Sequence, residues 1–405
     1  MNSAARKYGK GNNMKRLAFS FCLSLCSIAL LCGFHSSAVA AEPAAAGKTI
    51  TASADAWPIF RGDALAQGVA ISKLPNQPEL LWKKEFSRAA FEATAVIEGG
   101  VIYVGSNNDD ASGDFFSLNL ADGSERWKFH SDAGFSSAAG VRDGRVYVGN
   151  FDGRCYCLNA ADGKAVWGFD AKATVHGGPN FYGDKVLFTS EDGALYCLNS
   201  ADGKLAWQYT IDQPLYCSPT IVDGRVFLGG CDSAFHVIDL ETGKAVTDPI
   251  DIGAQTGNAP AVLGDRAYFG TLGAGVLAID WKKPAIAWTY VGGRRKQEYK
   301  SSAALSGGMV VLGCNDRQIR GIQAESGAEV WTFAAKGNVE SSPVAVGSRV
   351  YVGSNDGRIY GLNLTTGEQE WEYETGSDVV ASPAVAAGKM IIGDIDGKLY
   401  CFGAK

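Results

Sequence analysis

The sequence predicts an all-β, eight-bladed β-propeller of four-stranded antiparallel blades, and three observations carry that prediction. A unit of about forty residues ending in tryptophan recurs along the chain, with Trp at 82, 127, 167, 207, 288, 331 and 371. Within each unit, runs such as Val350-Tyr351-Val352-Gly353 have the period-two patterning of strands. Asp-Gly, Gly-Asp and Thr-Gly pairs separate those runs and supply the positive φ angles that tight hairpins need. The long gap between Trp207 and Trp288 holds two units, with Thr247 where a tryptophan is expected.

The best-preserved unit shows the elements in order: strand A at 341–346, B at 349–353, C at 358–363 and D at 370–373. The last unit supplies only A, B and C, at 381–386, 389–393 and 398–402, before the chain ends at Lys405. Residues 79–86, with Trp82, have the D pattern and no partner strands before them. Pairing this N-terminal outer strand with the three C-terminal strands closes the ring and removes free sheet edges. The tryptophans are then expected at the seams between blades, as large apolar groups with a polar N–H handle.

The first forty residues stand apart. Met14-Lys15-Arg16, an apolar run over 17–34 and Ala38-Val39-Ala40 read as a Sec-type signal peptide cleaved near Ala40, which predicts a periplasmic or secreted protein. Cys32 is a poor lipidation site, because Leu30-Leu31 precedes it where small residues are needed. Residues 41–78 form an N-terminal extension or strap, and 79–405 the propeller. Cleavage removes five cations and no acid, taking the formal charge from −6 to −11. That balance argues against a nucleic-acid partner, and no later stretch is apolar enough to span a membrane.

Seven of the ten cysteines remain after cleavage. Cys157, Cys197 and Cys401 occupy a repeat position held elsewhere by Ser117, Ala278, Gly321 and Gly361. A position that accepts Ser, Ala, Gly and Cys is a tight packing site, so these thiols are read as small hydrophobes. No pair of cysteine motifs has zinc spacing.

The Leu-Asn-x-x-x-Gly-Lys-x-x-Trp runs, with Ser-Pro and Val-Tyr-Val-Gly, resemble the pyrroloquinoline-quinone (PQQ) repeat family over about 57–403. Trp57-Pro58-Ile59-Phe60-Arg61-Gly62 is similar to a segment that straps one face of such propellers. The resemblance implies one of two roles. Quinoprotein dehydrogenases enclose the quinone and a calcium ion; propellers similar to the BamB subunit of the outer-membrane barrel assembly machinery carry no cofactor and bind proteins. The alcohol dehydrogenases of the first branch have a vicinal Cys-Cys pair, absent here, and no CxxCH haem site is present. The BamB-like reading is preferred: a monomeric, exported scaffold that binds protein or peptide partners in the envelope, with no catalysis and no cofactor of its own. The alternatives are a minimal PQQ- and calcium-dependent alcohol or sugar dehydrogenase, and a carbohydrate binder using Phe91, Phe135, Tyr216 and Tyr299.

A function is expected on the face that carries the B-to-C and D-to-A connections, because these differ between blades while the other turns are monotonous. Aligning the residue that leads into strand A gives Glu92, Ser136, His176, Tyr216, Gly257, Lys300, Glu340 and Val380 around the axial mouth. The insertion over 291–300 adds Arg294, Arg295, Lys296 and Tyr299, a basic loop suited to an acidic partner. The partner-binding set is therefore Glu92, His176, Tyr216, Arg294, Arg295, Lys296, Tyr299, Lys300 and Glu340, with His176 the candidate base. The oxygen-rich insertion over 107–114 lacks the spacing of a calcium loop, and His236 is expected in the core.

Overall fold

The computed structural model describes residues 49–273, 275–292 and 298–405; the segment expected to be a signal peptide, with Cys22, Cys26 and Cys32, and the Arg294, Arg295 and Lys296 positions lie outside them. Eight four-stranded antiparallel sheets follow one another around a ring. Blades 1 to 7 span 96–131, 140–170, 180–210, 220–251, 261–290, 304–334 and 344–374. In blade 8, Glu79–Glu85 pairs antiparallel with Lys398–Gly403, which continues through Lys389–Gly393 to Ala384–Ala386. The ring is thus closed by joining the two ends of the chain, as the repeat count predicts. The described residues contain no helix, and so none that could cross a membrane.

The seams explain the repeat. The indole N–H groups of Trp82, Trp127, Trp167, Trp207, Trp288 and Trp331 donate to carbonyls of the next blade, those of Leu120, Ala160, Ser200, Leu240, Ala324 and Leu364, at 2.9–3.2 Å. Each ring also lies on that blade's C-to-D turn: a Cβ added at Gly163 or Gly367 would sit 2.5 Å from the indole. Within its own blade, each tryptophan stands opposite the small position of strand C. Cys157 faces Trp167, Cys197 faces Trp207, Cys401 faces Trp82 and Gly321 faces Trp331. A Cβ at Gly321 would meet the indole at 2.2 Å, which is why only small residues occur there. All seven cysteines described are buried free thiols; burial pushes those of Cys197, Cys217 and Cys401 up to about 12.

Blade 4 breaks the pattern in a compensated way. Thr247 leaves the seam to blade 5 without its tryptophan, and the outer strand shrinks to Ile250–Asp251. The gap is filled from the other side. Trp281 of blade 5 is buried against Phe227 of blade 4, with ring centroids 5.4 Å apart, and lies under Arg225. Its N–H is satisfied within blade 5 by the carbonyl of Gly264.

The strap runs around the axis and serves the innermost strands in turn. The central N–H of strand A donates to a strap carbonyl in six blades: Ile97 to Trp57, Val141 to Pro58, Ile221 to Ala64, Val262 to Leu65, Leu305 to Gln67 and Ala345 to Gly68. Blade 3 reaches Ala64 through the Asn180 side chain, and blade 8 bonds Ala54 through Ala387. Trp57, Ile59 and Arg61 are buried. The Arg61 guanidinium donates to carbonyls of Ala303, Ser342 and Pro343 at the entries to blades 6 and 7. Burial draws its pKa down to about 9, so it stays protonated at neutral pH and pins the strap from within.

Above the strap, a girdle of hydroxyls links neighbouring blades. The Gly178 N–H donates to Ser218 Oγ, Ala259 to Ser302, Ser302 to Ser342, Ser342 to Ser382 and Ser382 to Thr94, at 2.8–3.3 Å. This is the physical content of the repeated Ser-Pro: the serine closes the girdle and the proline turns the chain into strand A.

Two substitutions test these joints. Trp281→Ala is expected to destabilise the fold by about 3–5 kcal/mol, as for a large buried aromatic, read as a lower denaturant midpoint. Trp281→Phe should recover part of the loss. Ser342→Ala, which leaves the buried Ser302 N–H without its acceptor, should cost about 1–3 kcal/mol in the same measurement.

Candidate functional site

The ring of unlike residues forms a real cavity. A polar cup of about 170 Å³ opens at the axis, and its wall has two tiers. The outer tier is Glu92, Ser136, His176, Tyr216, Gly257, Lys300 and Glu340; the inner is Thr94, Ala138, Gly178, Ser218, Ala259, Ser302, Ser342 and Ser382. The tiers are two residues apart in extended chain, so both face the axis. Blade 8 reaches the cup through Ser382, where the alignment had suggested Val380. Phe60 of the strap completes the lining.

The same alternation corrects the aromatic expectation. Residues one place earlier, Phe91, Phe135, Val175, Leu215, Thr256, Tyr299, Val339 and Val379, are all fully buried. They turn away from the cup, and all but Leu215, which follows the blade whose strand B ends in Thr189, pack on a glycine at the end of strand B of the preceding blade. A Cβ at Gly149, Gly270 or Gly393 would lie 2.1–2.5 Å from Val175, Tyr299 or Phe91. Tyr299 is therefore a core residue rather than a binding one, and Phe91 and Phe135 share its fate. Of the four aromatics proposed for sugar stacking, Tyr216 alone is exposed and lines the cup.

Charge in the cup is organised in pairs. Lys300 Nζ lies 3.0 Å from Glu340 Oε1, across one seam. Glu92 accepts from the Asn107 side chain at 3.0 Å. His176 is the most constrained group: its Nε2 is 2.7 Å from Glu191 Oε1, its Nδ1 is 3.1 Å from Ser136 Oγ, and Phe151 and Tyr216 flank the ring at 5.7 and 5.3 Å. Sequence reasoning missed Glu191 and Phe151. Both are the second residue after strand B, in turns that read as ordinary, and the signal available was that this position also varies between blades: Phe151, Glu191, Cys231, Leu272, Asn315, Asn355, Ile395.

The other candidates have structural partners. In the 107–114 insertion, Asn107–Asn108 pairs with Ala89–Ala90 as a short ladder. Its carboxylates have partners: Asp110 pairs with Arg88, and Asp114 with Lys128 and, through a hydrogen bond, the His130 ring. Among the described residues no three or more His, Cys, Asp or Glu side chains converge as a metal would require. His236 is buried between Asp232 and Tyr209 at 2.9 and 3.1 Å, and desolvation lowers its pKa despite the carboxylate.

Comparison with known proteins agrees with this architecture. The solved structure of BamB from Moraxella catarrhalis superimposes with a TM-score of 0.70 at 17% identity, covering 81% of this chain and all of the other. A europium-containing methanol dehydrogenase gives 0.72 at 12% identity, covering 87% and 98%. Quinohemoprotein alcohol dehydrogenase from Comamonas testosteroni gives 0.69 at 15%, covering 86% and 80%. At these identities the likenesses establish the fold. No curated protein matches the chain. The sequence profile described as outer membrane protein assembly factor BamB matches residues 69–173, 151–298 and 286–405, and with its matches running through all eight blades the chain belongs to that family.

Proposed function

We propose that this chain is an exported propeller scaffold that binds a protein or peptide partner of the cell envelope on its cup face. The observation that carries this reading is the outer tier: six residue types among seven occurrences of one structural position in an otherwise uniform scaffold. Elsewhere the repeat keeps one residue type for a mechanical reason, as at the seam tryptophans. Around the cup it offers two carboxylates, a lysine, a histidine, a tyrosine and a serine, all on rigid blade entries, where side chains hold their positions without a ligand. Arg294, Arg295 and Lys296 precede Lys300 in the same stretch of sequence, a run of cations that suits an acidic partner. Family membership points the same way.

The quinone reading has less support. The PQQ cofactor is a tricarboxylate, and Glu92, Glu191 and Glu340 would oppose it, with Lys300 the one lysine of the cup lining. Its calcium would need converging oxygen ligands, and the carboxylates nearest the cup are committed to Asn107, His176 and Lys300.

A photo-crosslinking amino acid at position 216 is expected to trap a discrete envelope partner in cells, and Lys300→Glu to weaken that adduct at least tenfold. The same probe at position 263, an exposed A-to-B turn, should trap none; equal adducts at both positions would contradict the assignment of the face. Excess quinone with calcium is expected to leave both the quinone absorbance and the melting temperature unchanged, and a shift in either would favour the dehydrogenase reading.

A further inference from the structure

Ser136, His176 and Glu191 stand in line on the cup wall, the imidazole hydrogen-bonded to Ser136 and within 2.7 Å of Glu191, and we propose that the three together activate Ser136 as a nucleophile toward small acyl esters. This goes beyond the scaffold role. The relay needs two blades at once: Ser136 leads into blade 2, His176 into blade 3, and Glu191 follows strand B of blade 3. Around the outer tier, a hydroxyl precedes a histidine at this one place.

The geometry assigns a role to each atom. Glu191 Oε1 lies 2.7 Å from Nε2 and, in the proposed mechanism, keeps the imidazole proton on that nitrogen. Nδ1 then presents its lone pair to Ser136 Oγ at 3.1 Å. A carboxylate on one ring nitrogen and a serine on the other is the arrangement that makes a serine nucleophilic, whichever nitrogen faces which partner. Phe151 and Tyr216 limit rotation of the ring. The oxyanion donor is assigned two residues along. In five blades the inner-tier N–H is tied to a hydroxyl of the next blade. Ala138 instead adjoins Gly178, whose position offers no hydroxyl; a Cβ there would already meet Ala138 at 3.1 Å. The Ala138 N–H, two residues along the chain from Ser136, is therefore outside the girdle, and we assign it to the developing oxyanion.

The reaction balances without a cofactor. Ser136 Oγ bonds to the acyl carbon as its proton passes to Nδ1, and Glu191 stabilises the imidazolium. The ester C–O bond then breaks, and the leaving alcohol takes that proton. Water attacks the acyl-serine and gives a proton to Nδ1; the acid departs, and the proton returns to Oγ. A cup of about 170 Å³, closed below its inner tier by Phe60, restricts the acyl group to short chains.

The test is labelling of the intact mature protein with a fluorophosphonate, followed by peptide mass mapping, together with hydrolysis of 4-nitrophenyl acetate and octanoate. The expected result is a single adduct on Ser136, with acetate preferred over octanoate. Ser136→Ala should abolish the adduct, and His176→Gln should slow labelling and hydrolysis at least about a hundredfold, the usual contribution of a general base. Glu191 acts through His176 as a positioning residue: Glu191→Gln should lower kcat at unchanged KM, and Glu191→Asp should restore part of it. Melting temperatures of the variants separate lost chemistry from lost fold. The proposal is overturned if the folded parent protein gives no Ser136 adduct, or if a folded His176→Gln variant is labelled at the parent rate.

Discussion

The constraint on which this structure depends is the inner edge of its sheets. Eight radial sheets converge on an axis, and each ends in a strand whose inner N–H and C=O groups have no further blade strand to pair with; in blade 7 the strap itself supplies one, Val69–Ala70, in parallel. Unpaired buried backbone groups are costly, and open edges recruit other chains. The strap answers both problems at once. Its carbonyls at 57, 58, 64, 65, 67 and 68 meet the blades in the order in which they occur around the ring. The axial opening becomes a cup floored in part by Phe60, and the functional face acquires a fixed bottom.

With the axis held, the rest of the scaffold is a set of pairwise joints. A tryptophan covers most seams from the N-terminal side, and a hydroxyl girdle ties the blade entries together above the strap. Such joints tolerate local substitution as long as the volume and the hydrogen bond are supplied from somewhere. Trp281 shows this: the seam that Thr247 leaves thin is filled by the neighbouring blade. The girdle behaves likewise, since Ala138, Gly178 and Ala259 interrupt it without opening the ring. Two of those interruptions lie beside Ser136 and His176, so the uniform scaffold gives way where the cup chemistry is most specialised.

Much of this was legible in the sequence because it repeats. Period-two runs, turn dipeptides and a fixed tryptophan spacing determine the blades, and a D-type strand with nothing before it implies the closure. Alignment of the repeats also located the cup, since seven of the eight aligned residues line it. What stayed hidden depends on which side of the chain faces inward. Lys300 and Tyr299 are adjacent, yet one lines the cup and the other packs on Gly270, a distinction that only the register of the extended segment decides. Glu191 was invisible for another reason: its contact with His176 joins two connections of one blade, fifteen residues apart, and a single turn glutamate carries no mark of it. The strap's course was equally unreadable, because its bonds run from backbone carbonyls, which every residue possesses.

The account rests on the strap closing the inner edge, and amide hydrogen exchange tests this most directly. The N–H groups of Ile97, Val141, Ile221, Val262, Leu305 and Ala345 are predicted to exchange as slowly as those of the adjacent B strands, opening only with the fold as a whole. Fast exchange at these six amides, with the B strands still protected, would show that the strap does not seal the axis and would contradict the account.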